Sequence, residues 1–188
     1  MKLLRLAIAI AALCAAMSVL AAAEEKKDAA MPEMGATKEI KDMAWLVGTW
    51  DVVMKSKWDP SATEWAEDKG TATYSYGADG CAILMNYEST AMGMPFKGFM
   101  LQTYDRETKL WQSAWTDNFG ARIALYTGTK ANGKTVLSGE DISQGQKMTT
   151  RITTFNETPA KFDWSMETSM DGGKNFFTVA TAVYTKRK

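Results

Sequence analysis

The chain has 188 residues, with 22 basic and 22 acidic side chains and no histidine. A charge balance this even provides no concentrated basic face for nucleic acid. The lack of histidine excludes a Ser-His-Asp hydrolase, a His-ligated zinc site and a His-ligated haem site.

The N-terminal segment 1–23 has the three parts of a secretory signal peptide. Lys2 and Arg5 give it a positive start, residues 6–20 are apolar apart from one serine, and three alanines end it before two glutamates. The apolar run is shorter than the ~20 residues that a helix needs to cross a bilayer, so no transmembrane anchor is expected. We expect cleavage near Ala23 and a periplasmic or secreted bacterial protein.

The two cysteines give further constraints. Cys14 lies inside the signal peptide, and the bulky Leu13 before it argues against a lipoprotein. Cys81 is then the single cysteine of the mature chain, which makes an intramolecular disulfide impossible. The exported domain must depend on its hydrophobic core, and about 150 residues suffice for one such core.

A short linking region precedes the folded domain. Residues 24–36 are charged, rich in alanine and interrupted by Pro32 and Gly35, which predicts a flexible tether. Thr37 is placed to cap one short helix that ends before Gly48. The folded domain is expected to span 37–188.

The rest of the chain consists of alternating segments separated by turn residues. Such segments predict β-strands joined by hairpins. The predicted strands are 49–58, 69–77, 81–89, 98–105, 110–116, 121–128, 135–142, 147–155, 161–169 and 174–185. A meander of about ten antiparallel strands has two exposed edges unless it closes into an up-and-down barrel. We therefore predict an all-β barrel with one short N-terminal helix, wide enough inside to hold a ligand.

Four short stretches carry a resemblance to known barrels. Residues 46–50, Leu-Val-Gly-Thr-Trp, resemble the Gly-x-Trp opening of lipocalin-like (calycin) barrels, and residues 184–187 resemble their basic closing strand. Residues 92–98 with Tyr104-Asp105, and then 115–117, look like the domain-of-unknown-function family 1579. The resemblance covers roughly 38–188 and implies a bacterial, lipocalin-like barrel for which no biochemical role is established.

The resemblance assigns structural roles at one barrel end. Gly48 is expected to permit close approach of the preceding helix, and Trp50 to seal that end from inside. A cation over the Trp50 ring would add about 0.5–2 kcal/mol. The sequence leaves open whether Lys186 or Arg187 supplies that cation.

Candidate ligand-binding residues are those that alternation could point into the barrel, together with residues at a strand end or in a loop at its mouth. They are Tyr104, Trp115, Asp117, Tyr126, Glu140, Arg151 and Met94. An arginine–carboxylate pair inside, with Arg122 as a further candidate, could fix the polar head of a ligand. The same residues could satisfy one another or lie on the outer face, where ion pairs contribute little.

Methionine is frequent, and Met92 and Met94 lie two apart in a predicted loop. Thioethers are soft ligands that favour Cu(I), although such methionines also suit an adaptable pocket mouth. We expect no metal site, no cofactor and no catalytic residue. Cys81 is expected to be a packed thiol.

These patterns favour a non-enzymatic, exported lipocalin-like protein that binds a small, partly apolar molecule in or at the mouth of the barrel. One alternative is an envelope structural or interaction protein whose barrel is filled by its own side chains. Another is an enzyme that uses carboxylate, tyrosine or arginine chemistry. No pattern indicates the oligomeric state.

Overall fold

Closure of the sheet follows from the order of the strands in the computed structural model, which describes residues 33–57, 62–91, 93–143 and 145–188. Each strand pairs with the next in antiparallel fashion, and the first pairs with the last. The strands are β1 (Gly48–Ser56), β2 (Ala66–Gly77), β3 (Ala82–Ala91), β4 (Met94–Asp105), β5 (Leu110–Asp117), β6 (Ala124–Ala131), β7 (Lys134–Ser143), β8 (Gln146–Phe155), β9 (Lys161–Ser169) and β10 (Phe177–Lys186). The predicted ten-stranded up-and-down barrel is confirmed.

The predicted helix is also present. Helix α1 (Lys38–Lys41) is capped at its N-terminus by Thr37, whose hydroxyl accepts a hydrogen bond from the Ile40 backbone N–H at 3.3 Å. Short 3-10 turns follow at Ala44–Leu46 and between β2 and β3 at Ala78–Gly80. Within the described ranges, no helix is long and apolar enough to span a membrane.

The predicted signal peptide and most of the tether lie outside the described residues, as does Met92. Residues Gly35–Lys188 form one compact unit. The predicted domain boundaries and the processing of 1–23 stay predictions.

Several strand ends differ from the predicted ones. β4 begins at Met94 and not at residue 98, because Ala91 pairs with Met94 and Thr90 with Pro95 across a tight turn. Gly93 in that turn has a φ of +76°, a conformation that glycine adopts without strain. A local pattern did not show this pairing, since Pro95 interrupts the run of strand formers.

The register decides which residues face the interior. In β4, Met100 lines the interior whereas the neighbouring Leu101 is exposed on the outside. Helix α1 and the turn after it close one end of the barrel, which we call the capped end. The opposite end, where β1, β3, β5, β7 and β9 finish, is the mouth.

Candidate functional site: the barrel lumen and its mouth

The interior of the barrel contains a cavity of about 1260 Å³. Pockets for small molecules commonly have volumes of about 300–1,000 Å³, so this space is large enough for a ligand. Most of its wall is apolar, with contributions from Met54, Met85, Met100, Ile152 and Trp164. The barrel is therefore not packed solid with its own side chains.

The capped end is sealed by aromatic packing. Trp50 is fully buried, and its indole N–H donates to the Leu46 carbonyl at 2.7 Å. Phe162 packs against Trp50 at a ring separation of 5.0 Å and stacks on Tyr184 at 4.3 Å. Trp50 therefore lies in a buried aromatic cluster at this end of the barrel.

The cation at this end is Lys186. Its ammonium lies 5.4 Å from the centre of the Trp50 ring and donates to the Trp45 carbonyl at 2.5 Å. Arg187 points to the opposite face, where it pairs with Asp51. The choice between the two basic residues is thereby settled in favour of Lys186.

Gly48 lies against the Lys186 side chain. A Cβ atom there would lie 3.1 Å from Cε of Lys186. The missing side chain therefore makes room for the Lys186 stem, and the predicted close approach of the preceding helix stays a prediction.

An aromatic wall lies near the mouth. The rings of Phe96 and Trp115 are stacked 6.4 Å apart, and Phe96 also meets Phe119 and Tyr87 edge to face at 5.2 and 5.9 Å. The Trp115 ring covers Gly98, where any Cβ atom would overlap it. Gly98 thus determines how the Trp115 ring lies against the wall.

Asp117 fixes the loop that follows β5. One carboxylate oxygen accepts from the Trp115 indole N–H at 2.9 Å, and the other accepts from the backbone N–H groups of Phe119 and Gly120 at 2.9 and 2.6 Å. Both oxygens are therefore occupied by the protein itself. Asp117 lines the cavity, and its hydrogen bonds hold the aromatic wall in place.

A second polar group lies at the mouth beside Asp117. Arg122 forms an ion pair with Asp141, and the Tyr126 hydroxyl donates to Asp141 at 3.4 Å. Burial raises the pKa of Tyr126 well above its ordinary value, and the negative charge of Asp141 raises it further. This phenol stays protonated and acts as a hydrogen-bond donor at neutral pH.

Comparison with known proteins places this barrel in a family. Residues 36–186 match the family described as "Protein of unknown function (DUF1579)". The chain belongs to this family. No curated protein matches the chain.

Two solved structures show the same fold as this DUF1579 protein. The S-type phycobiliprotein lyase CPES from Guillardia theta is 13% identical with a TM-score of 0.55, and the match covers 81% of this chain and 94% of that one. Rv2717c from M. tuberculosis is 10% identical with a TM-score of 0.58, over 82% of this chain and all of that one. Identities this low show the shared barrel fold alone.

In this DUF1579 barrel, three of the candidate binding residues lie together. Trp115, Asp117 and Tyr126 all line the cavity near the mouth. Tyr104 lies toward the capped end, where its ring meets Trp111 at 5.4 Å. Met94 lies at the rim with 51% of its surface exposed.

Two candidates face the wrong way for a lumen site. Glu140 is exposed and pairs with Lys147 on the outer face. Arg151 pairs with Glu167 and stacks over the Phe176 ring at 3.9 Å. Of the two orientations that the sequence left open, both side chains therefore take the outward one, and the adjacent residues Asp141 and Ile152 line the cavity instead.

The inward polar residues that sequence reasoning missed include Asp68, Tyr87 and Asp141. Alternation along β2 could have identified Asp68. This residue lies on the same face as Ala72 and Tyr74, whereas its neighbours Glu67 and Lys69 lie on the outer face. The whole stretch was not recognised because the prediction began β2 at residue 69.

No cluster of three metal-ligating carboxylates or cysteines occurs in the part of the chain that the structure describes. Cys81 is half-buried. The Cu(I) hypothesis involves Met92, which lies outside the described residues, and stays a prediction.

Proposed function

We propose that this protein is an exported barrel that binds a small, partly apolar molecule in its lumen. The observation that carries the proposal is the cavity of about 1260 Å³, with an apolar wall and a few polar side chains near the mouth. Such a combination is typical of small-molecule sites, in which apolar contact supplies affinity and polar groups fix orientation. The fold alone would not support a function.

The structures of the two ends of the lumen indicate that a ligand enters at the mouth. Buried aromatic side chains close the capped end, whereas Phe119, Gly120 and Met170 combine an exposed position with a place in the cavity wall. A ligand therefore enters between the loops of the mouth.

Export is part of the proposal and rests on the sequence of residues 1–23. The test is the mass of the protein recovered from the periplasm or the medium of a cell that makes the full chain. We expect a mature chain that begins near Glu24. A full-length chain retained in the cytoplasm would contradict export and leave binding unaffected.

Binding is tested with the uncharged dye N-phenyl-1-naphthylamine, whose fluorescence rises in an apolar site. We expect saturable 1:1 binding to the folded protein. The variant Met100→Trp narrows the lumen and should weaken dye binding at least about tenfold, since a mismatch of even one methylene in an apolar pocket changes affinity by about 10-fold or more.

The matched control is Leu101→Trp, the next residue of β4, which is exposed on the outside. It should bind the dye like the unchanged protein. Equal loss in both variants, or no saturable binding at all, would refute the lumen as a binding site. If the dye binds as expected, native mass spectrometry of the protein purified from its own compartment can identify a co-purifying ligand.

A further inference from the structure

The wall of the lumen contains an aspartate with no cationic partner. Asp68 lies on the inner face of β2, opposite Met54 of β1, and lines the cavity. Among the residues that the structure describes, no ion pair or hydrogen bond involves it. Its neighbour Glu67, on the outer face, pairs with Lys55.

A buried hydroxyl without a partner lies on the same wall. Tyr87 is only 3% exposed, lines the cavity, and its hydroxyl has no hydrogen-bond partner in the described chain. The hydroxyl reaches over Gly70, where a Cβ atom would lie 2.7 Å from it. Gly70 and Asp68 are two residues apart on the same face of β2. The Tyr87 hydroxyl and the Asp68 carboxylate therefore line the same region of the lumen.

The electrostatic coupling of the two groups agrees with this geometry. Burial raises the pKa of Tyr87. The Ser89 hydroxyl beside it, which does not complete a hydrogen bond of good geometry, lowers that pKa, and the Asp68 carboxylate raises it. A buried hydroxyl without a hydrogen-bond partner is unfavourable, because its desolvation is not compensated. A ligand group that hydrogen-bonds to it would recover that cost.

The charges that line the cavity are predominantly negative. Its described wall includes five carboxylates and two basic side chains, Lys57 and Arg122. Arg122 pairs with Asp141, Glu157 pairs with Lys130, and Lys57 lies over the Trp65 ring at 5.7 Å. Asp68 keeps its charge without a cationic partner in the described part of the chain. An anionic ligand would therefore meet repulsion that a cation would not.

An apolar surface adjoins Asp68 and Tyr87. Met54 is the cross-strand neighbour of Asp68, and the Phe96 ring lies 5.9 Å from that of Tyr87. Methionine and aromatic side chains adapt to alkyl and aryl groups alike, and aromatic faces attract cations.

We propose that the lumen selects cationic amphiphiles: an organic ammonium ion whose head lies between the Asp68 carboxylate and the Tyr87 hydroxyl and whose apolar body follows the methionine and aromatic wall. This inference rests on the proposed binding function and adds the class of ligand. The ammonium donates to both oxygens, and the carboxylate supplies the opposite charge.

The experiment compares three molecules with the same chain and different heads as competitors of N-phenyl-1-naphthylamine at pH 7: dodecylammonium, dodecanol and dodecanoate, each below its micelle concentration. We expect dodecylammonium to bind at least about tenfold more tightly than dodecanoate. Asp68→Asn should weaken dodecylammonium about tenfold, as expected for loss of one charge-assisted hydrogen bond, and leave dodecanol unchanged. Tyr87→Phe should weaken dodecylammonium by a smaller factor.

The control is Glu67→Gln, which removes a carboxylate from the outer face one residue away and should change none of the three affinities. Unchanged dodecanol binding shows that a variant keeps an intact lumen. Dodecanoate binding as tightly as dodecylammonium, or insensitivity of the ammonium to Asp68→Asn, would overturn the cationic class while lumen binding stands. Failure of all three molecules and of the dye would refute the proposed function itself.

Discussion

The two ends of the barrel use aromatic side chains for opposite purposes. At the capped end, Trp50, Phe162 and Tyr184 pack on one another and leave no access from outside. At the mouth, Phe96 and Trp115 form a wall with open space beside it. The difference lies in what covers the rings. Helix α1 and the 3-10 turn after it cover the first set, whereas in the described part of the chain loops lie beside the second.

Individual polar groups also differ between the two regions. At the capped end, Lys186 contacts the Trp50 ring and donates to the Trp45 carbonyl. Toward the mouth, Asp68 takes part in no ion pair, and the Tyr87 hydroxyl has no hydrogen-bond partner among the described residues. Fully satisfied polar groups stabilise the barrel, whereas unsatisfied ones in a cavity are available to a ligand.

The largest effect is expected from Trp50→Ala. Truncation of a fully buried tryptophan typically lowers the free energy of unfolding by about 3–5 kcal/mol, which is a large part of the stability of a domain. Urea unfolding followed by circular dichroism measures it. The comparison is Trp65→Ala near the mouth, where 40% exposure predicts a loss of about 1 kcal/mol or less. Equal losses would show that the two ends do not differ in stability.

Gly98→Ala tests the aromatic wall. The new methyl group overlaps the Trp115 ring, and such overpacking costs about 1–3 kcal/mol and displaces the ring. We expect lower stability and altered dye affinity together. Trp115→Phe in the same chain should relieve the overlap, so the double variant loses less than the sum of the single ones. Additive losses would mean that Gly98 does not position the Trp115 ring.

The architecture was predictable because its signals are local. Alternation of polar and apolar residues and turn residues such as Asn132-Gly133 identify strands and hairpins without knowledge of their partners. Strand ends were less predictable, since pairing across the turn extends β4 to Met94 and the register alone decides it.

The orientation of polar residues was harder to predict. In β7 and β8, small and polar residues occupy both faces, so a period of two does not distinguish Glu140 from Asp141 or Arg151 from Ile152. Lys186 and Arg187 presented the same difficulty, because adjacent residues of a strand point to opposite faces. Trp115 and Asp117 were found because a large aromatic residue marks the inner face of β5.

Lys186→Met, compared with Arg187→Met, distinguishes the contributions of the two basic residues to stability. Methionine keeps the apolar stem but removes the contact with Trp50 and the hydrogen bond to Trp45, which together are expected to contribute about 1–2 kcal/mol. Arg187→Met removes an exposed ion pair with Asp51 and an exposed hydrogen bond to Thr71, and it should change the free energy of unfolding less. Salt should diminish the Arg187 effect and leave the Lys186 effect nearly intact. The reverse order would contradict the assignment of Lys186 as the residue over Trp50.

The smallest effect at neutral pH is expected from Tyr126→Phe at the mouth, below about 1 kcal/mol, because its hydrogen bond to Asp141 is long at 3.4 Å. The effect should change with pH. Burial and Asp141 raise the pKa of Tyr126 in the folded state, so the folded protein holds this proton where an unfolded tyrosine, with a pKa of about 10, releases it. The stability contributed by the protonated phenol is complete below about pH 10 and is lost as the pH rises beyond it. Urea unfolding at pH 8 and pH 11 should show a smaller loss of stability for Tyr126→Phe than for the unchanged protein; equal losses would mean that Tyr126 ionises as freely in the folded barrel as in the unfolded chain.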